Sequence, residues 1–269
     1  MRIAAYLFVF VGLFMPSCLG AAPVELQPHR AYYTVSLAGR PDPRSDVTDV
    51  RGTMMIEFDK VCGGWTVQQL SEIWRYHNDE ENAVEHVRWG YVTFENTEGT
   101  RFKFNTFRKT NNELVEDIHG SATKNGAHIE VHYQKPENKK LRLPEGTLFP
   151  IQHMTAYLEA AQNGTQMFPG TVFDGSSTEG ASEINTFIGT KKSVEDNPNN
   201  AATHQFANQP FWPVRFAVYG IDKTDYEPDY ITIQELLPSG IIKQYTIDYG
   251  GLKIRGVLDR IELLPACGS

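Results

Sequence analysis

Hydrophobic and polar residues alternate with a period of two along most of the chain, and this pattern predicts β-strands. Val87, Trp89 and Tyr91 are an example. Strands are predicted at 31–37, 51–60, 65–76, 85–95, 101–107, 116–121, 127–135, 170–174, 183–189, 212–219, 229–237, 242–249 and 252–264. Turn residues such as Asn125-Gly126 join neighbours as hairpins. We therefore expect a mostly β protein built on an antiparallel sheet.

The segment 150–164 breaks this alternation and predicts one main helix. Four apolar residues recur on one face at helical spacing: Ile151, Met154, Leu158 and Ala161. A proline opens the segment and a glycine closes it, as is typical of helix ends. We expect about a dozen residues packed on the sheet, with Met154 and Leu158 at the helix–sheet contact or at the wall of a cavity.

The first twenty residues have the pattern of a secretory signal peptide. Arg2 is followed by the apolar run 4–14 and by small residues up to Gly20, which predicts a signal peptide at 1–20 and one exported domain at 21–269. An alternative is lipidation of Cys18, but Met15-Pro16-Ser17 fits a lipoprotein box poorly. No later segment is apolar over the roughly 20 residues that a spanning helix requires. We expect a soluble periplasmic protein.

The composition disfavours nucleic acid as a partner. The chain has 33 Asp and Glu against 25 Lys and Arg, a formal net charge of −8. Basic residues are scattered, apart from the run Lys139-Lys140-Leu141-Arg142. Acidic proteins with no basic face are poor ligands for a polyanion.

Cysteine usage predicts one disulfide bond. Removal of the signal peptide would leave Cys62 and Cys267, and a pair in an oxidising compartment is expected to be joined. Closing so long a loop stabilises the folded state by about 5 kcal/mol in the chain-entropy model.

Three residues near the predicted helix resemble the components of a serine hydrolase: His153, Asp174 and Ser176. The segment 174–176 lacks the flanking glycines of a nucleophile elbow and is typical of a turn after a strand. We therefore favour a protein that is not an enzyme and keep the hydrolase as the weaker alternative.

Metal sites find little support in the sequence, and no cofactor is predicted. His128 and His132 share a strand face but would stand about 13 Å apart, too far for one ion, and His119 lies one strand earlier. A cluster of carboxylates lacks the order of a Ca²⁺ loop and favours a solvated acidic loop: Asp222, Asp225, Glu227 and Asp229. The aromatic content of 12% is consistent with either a filled core or a lipid cavity.

An ordered series of motifs covers nearly all of the chain after the signal segment. It comprises LQPHRAYY (26–33), GTMMIEF (52–58), CGGWTV (62–67), LPEGTLFPIQH (143–153), VFDGS (172–176), WPV (212–214), DYG (248–250), Leu258, ELLP (262–265) and Cys267. This series resembles the periplasmic cell-envelope integrity protein EipB family.

The resemblance implies a monomeric β-spiral, a long bent antiparallel sheet with one main helix packed on it, and Cys62 and Cys267 as its disulfide. It also implies a role in keeping the Gram-negative envelope intact, with no established catalytic residues. The leading hypothesis is a non-enzymatic protein that binds another envelope component, whether protein, lipid or cell wall. The alternative is a carrier of a lipid or lipoprotein acyl chain.

Overall fold

The computed structural model describes residues 23–40, 43, 45–79, 83–193, 205–206, 209–221 and 227–267. The predicted signal segment, Cys18, Asp222 and Asp225 lie outside the described residues.

Fourteen strands and one α-helix make up the regular structure of the described residues. The strands are β1 (His29–Leu37), β2 (Val47–Val61), β3 (Gly64–His77), β4 (Val84–Asn96), β5 (Arg101–Thr110), β6 (Glu113–Asn125), β7 (His128–Lys135), β8 (Lys139–Leu143), β9 (Met167–Val172), β10 (Ser182–Ile188), β11 (Trp212–Gly220), β12 (Tyr230–Leu236), β13 (Ile242–Asp248) and β14 (Lys253–Leu263). The helix α1 (Pro150–Gln162) stands between β8 and β9.

All fourteen strands form one sheet with the order β8-β7-β6-β5-β4-β3-β2-β1-β14-β13-β12-β11-β10-β9. The first and last strands of the chain pair antiparallel in the middle of the sheet. Two arms extend from that pair: β1–β8 form the first arm and β9–β14 the second. The sheet is not closed, because its two end strands, β8 and β9, do not pair with each other. The prediction of a bent antiparallel sheet curled into a β-spiral with one main helix is confirmed.

Irregularities in strand pairing help the sheet to curl. The register shifts at five places, including Tyr32/Tyr33 in β1 and Glu235/Leu236 in β12. An extra residue on one strand bends that strand and increases the local twist. The repeated shifts therefore favour a coiled sheet over a flat one.

Three clusters of buried side chains fill the curl. The first lies where β1 meets β14 and includes Tyr33 and Leu258. The second joins β5–β8 to Phe149, which directly precedes α1, and to Phe173, which directly follows β9. The third lies between α1 and strands of the second arm. The helix and the residues beside it thus contact both arms from inside.

The structure joins Cys62, directly after β2, to Cys267, after β14, with a Cα–Cα distance of 5.4 Å. The amide of Cys267 also donates to the carbonyl of Lys60 at 3.0 Å. The bond spans 205 residues of sequence and holds the chain's last described residue next to the turn between β2 and β3. Within the described ranges, no helix has the length and apolar character needed to cross a bilayer.

Candidate functional site: the inner face around α1 and the Asp174 turn

A carboxylate from the first arm caps the N-terminus of α1. The side chain before the helix, Phe149, has no hydrogen-bond acceptor, although the first amides of a helix need one. Glu95 of β4 supplies it: its two oxygens accept from the amides of Ile151 at 2.8 Å and Gln152 at 3.1 Å. The helix dipole also favours a negative charge at this end.

Glu95 is 2% exposed, and opposing influences act on its pKa. Burial raises the pKa of Glu95 to about 7, against the opposing influence of the Ile151 and Gln152 amides and the nearby Lys124. The tip of the β4–β5 hairpin also touches the helix, since a Cβ on Gly99 would lie 2.0 Å from Nε2 of Gln152. A side chain at position 99 would have to displace the end of Gln152, and the positive φ of +61° there also favours glycine.

The turn after β9, residues 174–177, is fixed to the first arm by three hydroxyl groups. They donate to carbonyls of the turn: Tyr91 to Asp174 at 2.8 Å, Thr106 to Gly175 at 3.3 Å and Tyr133 to Ser177 at 3.1 Å. Phe104 covers Gly175, where a Cβ would lie 2.3 Å from the ring. We call this arrangement the hydroxyl clamp.

The phenols of the hydroxyl clamp stay neutral. Burial raises the pKa of Tyr91 well above its usual value and that of Tyr133 to about 12, and the Asp174 carboxylate adds to both effects. Burial likewise raises the pKa of Tyr230, which Asp174 also influences. The Tyr91 and Tyr133 hydroxyls are therefore hydrogen-bond donors at neutral pH.

His153 lies on the inner face of α1 among aromatic rings. Its ring centroid stands 5.1 Å from that of Tyr157 and 6.0 Å from that of Phe168, and Nε2 is 3.5 Å from the hydroxyl of Thr186. Burial lowers the pKa of His153 to about 4. The ring is therefore neutral at physiological pH.

His153, Asp174 and Ser176 do not form a hydrogen-bonded triad in the described structure. Among the described residues, the His153 ring hydrogen-bonds to the Thr186 hydroxyl, while the Asp174 carboxylate accepts a hydrogen bond from the Ser176 amide at 2.9 Å. That bond is the usual one of an Asx turn. The predicted turn accounts for both Asp174 and Ser176.

The three candidate metal ligands each have a separate partner. His119 bonds Asp117 at 2.9 Å, His132 bonds Asn138 at 2.9 Å, and His128 contacts Arg142. The described residues contain no group of three or more His, Cys, Asp or Glu that could hold a metal ion. Of the predicted acidic loop, Glu227 and Asp229 are described, and the amide of Asp229 donates to Val218.

Met154 and Leu158 both face the cluster between α1 and the second arm. Leu158 is 0% exposed and belongs to a group that includes Trp212, Val214 and Leu236, whereas Met154 is partly buried at its margin. At Leu158 the interior is occupied by protein side chains. One open cavity, of about 260 Å³, lies beside Leu37, and another, of about 370 Å³, lies at the C-terminal end of α1, where Ala161 and Trp212 at the margin of the same cluster line it.

Sequence reasoning missed Glu95 and the hydroxyl clamp. Glu95 stands 56 residues before the amide that it caps, and Tyr91 stands 83 residues before the carbonyl that it binds. The only local signal was an acidic residue at an inward position of a predicted strand, where an apolar residue is expected.

Comparison with known proteins gives one consistent result. The cell envelope integrity protein EipB of Brucella abortus (strain 2308) is 28% identical over 261 residues, which cover 96% of this chain and 91% of that protein. A crystal structure of a β-barrel-like protein of a domain of unknown function from Brucella abortus matches with a TM-score of 0.82 and 27% identity. That match covers 90% of this chain and all of the other. The EipB-like family model matches residues 20–265, and the chain belongs to the EipB-like family.

Proposed function

We propose that this chain is an exported, monomeric, non-enzymatic protein of the Gram-negative periplasm, with one domain at 21–269. It supports the integrity of the cell envelope by binding another envelope component. The observation that carries this proposal is the match, over 96% of the chain, to a protein named for cell envelope integrity. Family membership supports the envelope role, and the binding activity is our inference.

The contacts inside the curl support a binding protein over a hydrolase. Glu95 caps the helix, and the Asp174 turn accepts three hydroxyls through its backbone. These polar groups hold the two arms in one arrangement, and a rigid arrangement lowers the entropic cost of recognising a partner. His153, with a pKa of about 4, is a weak base at neutral pH.

Deleting the gene tests the proposal. The deletion strain should become more sensitive to detergent and to cell-wall antibiotics, and plasmid-borne wild type should restore resistance. Ser176→Ala should restore it equally well, because the Asp174 carboxylate binds the Ser176 amide and not its hydroxyl. Unchanged sensitivity of the deletion strain would contradict the envelope role, and failure of Ser176→Ala alone would favour the hydrolase.

A further inference from the structure

The two end strands of the sheet differ in how their outer edges are protected. On β9, Pro169 has no amide to donate, and Leu148 pairs with the outer edge by donating to Thr171 at 2.8 Å and accepting from Phe173 at 3.0 Å. Among the described residues, β8 pairs only with β7. About half of its backbone N–H and C=O groups therefore face outward without a strand beside them.

The outer edge of β8 carries the one basic run of an acidic chain. Lys139, Lys140 and Arg142 are exposed. Lys140 and Arg142 stand opposite His132 and Glu130, whereas Leu141 stands opposite the fully buried Val131. Two cations, two residues apart, therefore project from the outer face, and an apolar residue between them points to the core.

The partners of these cations leave the edge basic. Lys140 lies 3.0 Å from Glu130, but the two side chains are 65% and 60% exposed, so the pair is weak. Arg142 contacts His128, which supplies no negative charge. Two copies of this edge would bring lysines and arginines face to face, which disfavours pairing of the chain with itself.

We propose that β8 is a docking edge for an extended acidic segment of a partner protein, which adds to the sheet as a further strand. Main-chain hydrogen bonds to β8 supply affinity, and side chains at alternate positions supply specificity. Acidic residues two apart fit Lys140 and Arg142, and an apolar residue between them would lie beside Leu141, at the margin of the cluster that Gly180 also approaches. The inference rests on the proposed function, because it names the class of envelope component that is bound.

Binding of short capped peptides to the purified full-length mature chain tests whether β8 accepts a further strand. The probe alternates glutamate and valine, and two control peptides replace either the glutamates by lysines or the central valine by proline. The acidic peptide should bind, the lysine peptide should not, and the proline peptide should bind much more weakly because it cannot complete the strand. No binding of the acidic peptide, or equal binding of the proline peptide, would overturn the proposal.

Three double variants locate the site. Lys140→Glu/Arg142→Glu should weaken binding at least roughly tenfold, and Lys140→Ala/Arg142→Ala should weaken it less. The matched control is Arg101→Glu/Lys103→Glu, an exposed pair on β5, whose two edges are both occupied by neighbouring strands. Equal loss in that control would mean general charge attraction and would contradict a docking edge. Circular dichroism of each variant verifies folding.

The same variants separate this inference from the envelope role. Both proposals are supported if the Lys140→Glu/Arg142→Glu protein folds, no longer binds the peptide and fails to restore detergent resistance in the deletion strain. If it restores resistance, the edge is not the functional contact and the envelope role stands. If peptide binding follows the predicted pattern but the deletion strain is unaltered, the envelope role fails and the edge stands.

Discussion

The Glu95 carboxylate in β4 accepts a hydrogen bond from the Ile151 amide at 2.8 Å, across 56 residues of sequence. This contact fixes the start of α1 to the first arm, while Leu158 of the same helix packs against the second arm. The helix therefore bridges two arms whose end strands do not pair. The shape of the curl depends on this contact, on the hydroxyl clamp and on the central pair of strands.

Glu95 should make the protein more stable in mild acid. The pKa of Glu95 is about 7 in the folded protein, above its ordinary 4.5, so the folded state binds the extra proton between these values. Its contribution is present at pH 4.5 and is lost as the pH rises to about 7, on the order of 3 kcal/mol. Urea unfolding at several pH values should show this slope in wild type and not in Glu95→Gln. Exposed Glu98 on the same hairpin is the control, and an unchanged slope in Glu95→Gln would refute the assignment.

His153 should make the protein less stable in mild acid, which is the opposite of the effect of Glu95. Burial lowers the pKa of His153 from 6.5 to about 4, so the unfolded state binds the extra proton between these values. The stabilisation is fully present above pH 6.5 and is lost as the pH falls toward 4, again on the order of 3 kcal/mol. Replacing His153 by Phe should flatten this part of the stability profile, while His128→Asn at an exposed site should not. Identical profiles for wild type and His153→Phe would contradict the assignment.

Removing one hydroxyl of the clamp should leave a buried carbonyl without its donor. Tyr91→Phe should lower the free energy of unfolding by about 1–3 kcal/mol, because the Asp174 carbonyl loses a 2.8 Å bond. Tyr249→Phe provides the control. Tyr249 is 50% exposed, so water can take the place of the hydroxyl that the substitution removes. Chemical denaturation measures both. Equal costs for Tyr91→Phe and Tyr249→Phe would argue against the clamp.

Leu158 and Met154 distinguish a packed helix contact from a lipid cavity. Leu158→Ala should cost about 3 kcal/mol, because it opens a hole in a filled cluster, and Met154→Ala at the margin should cost about 1 kcal/mol. The acyl-chain carrier stays a prediction that mass spectrometry of gently purified protein can test. If the wild type carries bound lipid, and Leu158→Ala loses that lipid with little change in stability, the result would support a lipid carrier over a packed helix contact.

The bond between Cys62 and Cys267 should raise thermal stability. It closes a loop of 205 residues, for which the chain-entropy model gives about 5 kcal/mol as an upper range. Cys267→Ser should therefore melt at a lower temperature, with its strand content intact when cold. Reductant should lower the melting temperature of wild type to that of Cys267→Ser and leave the variant unchanged. A wild type that melts identically with and without reductant would indicate that the bond contributes nothing.

Much of the fold could be predicted from local patterns, because a half-buried strand and a one-sided helix impose their periods on the sequence. The helix was predicted at 150–164 and spans Pro150–Gln162. The strand β8 was missed, because three of its five residues are cationic and only Leu141 and Leu143 are apolar. β9 was predicted at 170–174 and begins earlier, at Met167. Its proline and glycine obscure the strand pattern.

The candidate site was harder to predict, since its contacts join residues far apart in sequence. The turn at 174–176 was recognised from Asp174-Gly175-Ser176, but nothing in that segment indicates three hydroxyl donors on β4, β5 and β7. In the same way, Phe149 gives no indication that a carboxylate 54 residues earlier caps the following helix. Such partners are set by how the sheet curls, and the curl depends on register shifts that hydrophobic alternation does not encode.

We propose above that this protein works in the envelope, outside the cytoplasm, and one complementation measurement tests that location most directly. The deletion strain is supplied either with the full chain or with a chain that lacks residues 2–20, at equal protein levels, and survival in detergent is measured. We expect that only the full chain restores survival. Equal restoration by the truncated chain, retained in the cytoplasm, would contradict it.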